Sequence, residues 1–125
     1  MKIDIIENKA ECIIFSSQFG SGSAVWCGGD MTLPGSYDVE IDFDSEYIWG
    51  GNVFYSNEPE ESISLCNGVN KINSKVISID GDVVVIRLGS DVIMIEVSGA
   101  GGMSNEHYIF FNSPAEMTSD TPFSN

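Results

Sequence analysis

Residues 35–44 carry the clearest pattern in the chain, because after Gly35 and Ser36 the side chains alternate strictly between apolar or aromatic and acidic. Successive side chains of a β-strand point to opposite faces of its sheet, so a period of two predicts a strand with one apolar and one acidic face. The apolar face consists of Tyr37, Val39, Ile41 and Phe43, and the acidic face of Asp38, Glu40, Asp42 and Asp44. We therefore expect a half-buried strand here.

The remaining segments also favour strands over helices. Short apolar runs at 12–15, 47–55 and 63–66 have strand length, with a bend expected at Gly50-Gly51. The pattern predicts an all-β fold, an antiparallel sandwich or partly closed barrel of about eight short strands, with at most one short C-terminal helix.

Two successive hairpins are expected in the second half of the chain. Asp-Gly-Asp at 80–82 and Gly-Ser-Asp at 89–91 have turn chemistry. The runs at 83–88 and 92–97 are nearly all apolar, which predicts strands covered on both faces.

Length and composition indicate one domain, since the chain has 125 residues of which 42% are hydrophobic. We expect a single β domain over 1–113 and a tail over 114–125 that frays or forms one short helix near 114–118. No apolar run approaches the ~18 residues of a membrane span, and residues 1–7 lack the apolar region of a signal peptide. These features favour a cytoplasmic protein that does not bind membranes.

Three cysteines, Cys12, Cys27 and Cys66, form an odd set without C-x-x-C spacing. A small secreted domain usually carries a denser and even set. The sequence therefore predicts buried or half-buried free thiols in a reducing compartment.

The charge balance excludes two classes of partner. Nineteen Asp and Glu against five Lys and Arg give a net charge of −14. So few cations cannot form the basic footprint that nucleic acids or anionic membranes require.

Carboxylates are concentrated in one region, which we call the acidic stripe. It consists of Asp38, Glu40, Asp42, Asp44 and Glu46. Its charges repel one another unless Lys71, Lys75 or Arg87 reaches them from a neighbouring strand. The stripe is either a solvated strand face or a surface that meets a basic partner, whose approach the same field would accelerate.

Further acidic and aromatic residues follow the stripe along the chain. Glu58, Glu60 and Glu61 belong to a polar loop, and Trp49 is a candidate interface anchor. The predicted partner-binding set is therefore Asp38, Glu40, Asp42, Asp44, Glu46, Trp49, Glu58, Glu60 and Glu61.

Patterns for metal binding and phosphate binding are incomplete. Asp42, Asp44 and Glu46 have the opening spacing of an EF-hand loop, but its sixth and twelfth positions hold Tyr47 and Val53 instead of Gly and Glu. The glycine-rich segments 20–23 and 99–102 are not followed by Lys-Ser or Lys-Thr. We expect no metal and no cofactor.

Two alternatives of other classes stay open. One is a small-molecule or carbohydrate-binding module that uses Trp26, Trp49 and Tyr47 as a stacking platform. The other is a small hydrolase that uses Cys27, with His107 as its base, or a pair of carboxylates.

The chain resembles the small, acidic, β-rich immunity proteins of bacterial polymorphic-toxin and contact-dependent growth inhibition systems. The segments that carry the resemblance are 33–43, the Trp-Gly-Gly-Asn sequence at 49–52, and the hairpin at 79–88. The resemblance implies a protein that binds a cognate basic toxin domain, often a nuclease, and covers its active site, without catalysis or a cofactor. Together with the charge argument, it predicts a toxin inhibitor that is a monomer or a weak dimer.

Overall fold

The computed structural model describes residues 1–9, 12–27, 34–105 and 107–119. These residues form twelve β-strands and one turn of 3₁₀-helix at Ala100–Gly102, so the predicted all-β fold is confirmed. The part of the chain that the structure describes contains no helix long and apolar enough to cross a membrane.

Five strands form a closed barrel in the order β1-β2-β3-β12-β4. Their bounds are β1 Lys2–Lys9, β2 Cys12–Ser17, β3 Gly20–Trp26, β4 Gly35–Phe43 and β12 Ala115–Ser119. Strand β4 pairs antiparallel with β1 over its first residues and with β12 over its last five, and β12 pairs parallel with β3.

The other seven strands form a second sheet in the order β5-β10-β9-β8-β11-β6, with β7 paired to β8. Their bounds are β5 Tyr47–Ile48, β6 Val53–Tyr55, β7 Ser62–Cys66, β8 Val69–Asp80, β9 Val83–Leu88, β10 Asp91–Ser98 and β11 Tyr108–Ser113. The two predicted hairpins are confirmed as β8–β9 and β9–β10.

One hydrophobic core joins the barrel to the second sheet. Phe43 of β4 and Tyr47 of β5 pack edge-on against Phe111 of β11, at ring-centroid distances of 5.7 and 5.3 Å. Asn70 of β8, which is buried, reaches across to the main chain of Ser23 in the barrel.

The C-terminal segment differs from its prediction, because Ala115–Ser119 is a barrel strand and not a fraying or helical tail. Ala115 and Met117 face the core while Glu116 and Thr118 face outward, the same period of two as in β4. The proline before the strand occupies a position where a missing N–H is tolerated. Residues 120–125 lie outside the described residues.

Strand β10 is covered on one face only, which corrects the prediction of burial on both. Its inward residues Ile93, Ile95 and Val97 are buried, whereas Val92 is 57% and Met94 70% exposed. A run of apolar residues is expected for a strand that is buried on both faces. The same run is found in a strand such as β10, which is buried on one face and carries exposed apolar side chains on the other.

The cysteines also differ from expectation, because Cys12, Cys27 and Cys66 are free and exposed. Cys12 belongs to an apolar run, but its strand alternates and places Ile13 and Phe15 in the core instead.

Candidate functional site: an acidic groove between the two sheets

The acidic stripe forms as predicted, because all five of its residues are exposed. Strand β4 turns Val39, Ile41 and Phe43 into the core, so the side chains between them face solvent. Side chains two apart on a strand lie about 7 Å from each other. The stripe is therefore a linear array of carboxylates on a rigid strand and the turn that follows it.

The neighbouring strands extend the negative charge. Glu116 of β12 lies directly opposite Asp42, so two carboxylates face each other across the sheet. Lys2 of β1 lies opposite Asp38 and moderates the charge only at that end. Lys71, Lys75 and Arg87, the cations considered as possible partners of the stripe, lie on β8 and β9 of the other sheet.

A groove separates the stripe from β10. Glu40 and Asp42 line it together with Val92, and Asp44 lines it with Glu96, so β4 and β10 run side by side in the same direction. Among the described strands, residues 40–43 pair with β12 alone and residues 91–96 with β9 alone. Both strands therefore present an open main-chain edge to the groove.

Both ends of the groove are tied. At one end, β5 continues from β4 and pairs parallel with β10, Tyr47 opposite Val97. At the other end, the α-amino group of Met1 donates to the Val39 carbonyl oxygen at 2.7 Å and pairs with Asp91 at 2.8 Å. These contacts fix the width of the groove, so its shape is preformed.

We use the name acidic groove for the channel between residues 40–44 and 91–96. It consists of two clefts of about 400 and 330 Å³, which share Asp42 and Met94 as lining residues. Neither cleft is lined by Lys, Arg or His among the described residues. The lining carboxylates are Glu40, Asp42, Asp44, Asp91, Glu96 and Glu116.

Five of these six carboxylates form no ion pair with a described residue, Asp91 being the exception. On the β10 side of the groove, two exposed aliphatic side chains, Val92 and Met94, lie between Asp91 and Glu96. The groove thus combines uncompensated negative charge with an exposed aliphatic surface.

Several predicted binding residues lie outside the groove. Asp38 and Glu46 continue the stripe beyond its two ends. Trp49 is half-buried and packs edge-on against Tyr55 at 4.6 Å, while its main-chain N–H donates to Ser98. Trp49 therefore belongs to an aromatic cluster at the end of the second sheet.

The glutamates of the 58–61 loop have a different setting. The main-chain carbonyls of Glu58 and Glu60 accept hydrogen bonds from the Asn73 amide at 2.9 and 2.6 Å, which holds the loop over the outer face of β8. Neither Glu58 nor Glu60 lines the acidic groove, and both side chains are exposed to solvent.

Glu61 is a structural residue and not a free surface charge. Its side chain is only 15% exposed, pairs with Arg87 at 3.3 Å and accepts the Gly89 main-chain N–H. Since Arg87 lies opposite Val92 of β10, this pair neutralises a cation close to the groove. The fold therefore gives Glu61 a structural role in place of the solvated loop position that the sequence suggested.

Sequence reasoning missed part of the groove. Val92, Met94, Glu96 and Glu116 contribute to it but were not predicted. The sequence signal that could mark them is an alternation of side-chain types along each strand. This alternation is short in β12, and in β10 the apolar outer residues hide it.

The geometry also bears on the alternatives. Tyr47 is 3% exposed and its hydroxyl lies 2.6 Å from that of Ser113, so it cannot be part of a stacking platform. Burial raises the pKa of Tyr47; the Ser113 hydrogen bond opposes this shift and the nearby Asp44 charge adds to it. Among the described residues, no three His, Cys, Asp or Glu side chains are grouped so as to hold a metal ion.

Comparison with known proteins found no matching family model, no matching curated protein and no matching solved structure.

Proposed function

We propose that this protein is an inhibitor that binds a basic toxin domain, a nuclease, in the cytoplasm and covers its active site. The observation that carries the proposal is the acidic groove, where five carboxylates without an ion pair lie beside the exposed side chains of Val92 and Met94.

Charge repulsion is the first support. Two unit charges about 7 Å apart repel by about 0.6 kcal/mol in bulk water and by more near a protein surface. A basic partner would relieve this repulsion on binding, and the field of the groove would speed the encounter. A nuclease holds phosphates with Lys and Arg, which are the groups that such a surface would occupy.

The apolar wall is the second support. A solvated face needs no exposed aliphatic side chains, whereas protein interfaces combine apolar and polar contacts. Val92 and Met94 would bury their surface against the partner and keep water from the ion pairs beside them.

The test is affinity capture from the native host at low salt with two baits, the wild-type protein and the triple variant Asp42→Asn, Asp44→Asn, Glu116→Gln. The proposal expects a basic protein that only the wild type retains and that salt releases. When the captured basic protein is expressed alone, it should stop growth of the cells. Co-expression of the wild-type bait protein should restore growth. Equal retention on both baits, or a captured protein that is not toxic, would contradict the proposal.

A second candidate is a small-molecule binding module. It is favoured by a cavity of about 420 Å³ under the 56–61 loop, lined by Tyr55, Phe110, Asn73 and Lys71. Such a ligand would raise the unfolding temperature with little dependence on salt, and Phe110→Ala would abolish the effect.

A further inference from the structure

We infer that the acidic groove recognises an extended segment of the partner that carries arginine at alternate positions. This inference rests on the proposed function and specifies the element of the partner that docks. The groove itself carries the argument, because a row of exposed carboxylates on one side faces exposed aliphatic side chains on the other.

The spacing of the acidic wall favours an extended segment. Glu40 and Asp42 of β4 and Asp44, which directly follows the strand, are exposed and follow one another at intervals of about 7 Å. Alternate side chains of an extended peptide have the same interval, so three arginines at positions one, three and five would each meet one carboxylate. On one face of an α-helix, neighbouring side chains are three or four residues apart in sequence and about 5–6 Å apart at their Cβ atoms. They therefore do not match the spacing of about 7 Å between the carboxylates.

The two walls match the two parts of an arginine side chain. Its methylene groups would lie against Val92 and Met94, which are 57% and 70% exposed, while its guanidinium would reach the carboxylates. Asp42 and Glu116 lie opposite each other and offer several oxygens to the planar donors of one guanidinium.

The segment would lie over the groove and not between the strands. At their nearest points, strands β4 and β10 lie within 8 Å of each other at their Cα atoms. An inserted strand would need about 9–10 Å between its two neighbours. Both strands are tied at each end, so they cannot separate to admit it.

The length of the groove limits the length of the segment. Between the Met1 contact and the β5 pairing, β10 runs from Asp91 to Val97, which is about 20 Å. Five extended residues span about 13 Å between the first and the last Cα, so three alternate arginines fit inside.

The test uses two synthetic peptides of equal composition, acetyl-Arg-Thr-Arg-Thr-Arg-amide and acetyl-Thr-Arg-Arg-Arg-Thr-amide, titrated by isothermal calorimetry at low salt. We expect the alternating peptide to bind about five-fold more tightly or better, because only it can place three guanidiniums on one side. Equal affinity of the two peptides would overturn the inference.

Variants of each wall test the contacts. Met94→Thr and Val92→Thr, which retain strand propensity, should each weaken the alternating peptide about three-fold, since its methylenes lose apolar contact. Ile6→Thr is the matched control, because Ile6 is also 57% exposed but lies on β1. Asp42→Asn should weaken binding and reduce its salt dependence, whereas Glu60→Gln should do neither.

Circular dichroism and the unfolding temperature identify any variant that fails to fold. If Met94→Thr or Val92→Thr does not fold, the peptide affinity of the other variant provides the test. If neither wall variant weakens binding, or if the controls weaken it equally, the inference is overturned. A peptide that binds as expected while no toxic basic protein is captured would support the groove and contradict the proposed function. A neutralised toxin whose affinity is unaffected by Met94→Thr and Val92→Thr would support the function and overturn this docking mode.

Discussion

Replacing Asn70 by alanine should destabilise the protein severely, because this side chain joins the barrel to the second sheet. Its amide donates to the carbonyl oxygens of Ser23 at 2.8 Å and Ser113 at 3.0 Å, and its oxygen accepts the Ser23 N–H at 2.8 Å. Asn70 is 1% exposed, so little water can replace these contacts.

The magnitude follows from three lost hydrogen bonds. Each contributes about 0.5–1.5 kcal/mol net, and main-chain groups left unpaired in the interior add to the cost. We expect Asn70→Ala to lower the free energy of unfolding by about 3 kcal/mol, measured by urea denaturation with an unchanged m-value. For a chain of this size the unfolding temperature should fall by about 10 °C.

The matched control is Asn52→Ala. Asn52 also makes two side-chain hydrogen bonds to the main chain, to the Ile48 N–H and the Glu46 carbonyl, both at 2.6 Å, but it is exposed. Water can replace its contacts, so the loss should be about 1 kcal/mol or less. If Asn70→Ala costs no more than Asn52→Ala, the buried amide does not join the two sheets as argued.

Three further predictions concern ionisation, the backbone and the thiols. Because burial raises the pKa of Tyr47 above 10.0, the stabilising effect of the neutral side chain is complete below pH 10 and is lost as the pH rises further. Unfolding free energies measured from pH 8 to 11 should therefore fall more for the wild type than for Tyr47→Phe. Equal declines would contradict this prediction. Gly20→Ala should prevent folding or lower the free energy of unfolding by several kcal/mol, because the φ of Gly20 is +124° and an added Cβ would overlap the Ile63 carbonyl oxygen. Gly81 has open space around it, so Gly81→Ala should lower the free energy of unfolding by only about 1 kcal/mol. Comparable denaturation midpoints for the two variants would refute this prediction. Ellman's reagent should titrate three thiols in the native protein, since Cys12, Cys27 and Cys66 are exposed and free, and fewer than three without denaturant would show that a thiol is protected.

The strand that carries the acidic stripe could be predicted because its information is local. In β4, the alternation over residues 37–43 fixes both which side chains are turned inward and which belong to the stripe. The two hairpins of β8, β9 and β10 were predictable for the same reason, since the turn residues lie next to the strands that they connect.

The groove could not be predicted, because it depends on tertiary contacts. Asp42 and Met94 are about fifty residues apart in the sequence and line the same clefts only because β5 pairs with β10. Glu61 shows the converse case. Its neighbours in sequence suggested a solvated loop, but the fold places it against Arg87 and the Gly89 N–H.

Nuclear magnetic resonance mapping of the alternating arginine peptide would show directly where a basic segment binds on the protein. Amide resonances of the ¹⁵N-labelled protein would be followed during the titration. The account predicts shifts that concentrate at residues 40–44, 92–96 and 116 and that diminish as salt is added. Shifts centred on the 57–61 loop, or spread evenly over all acidic residues, would contradict it.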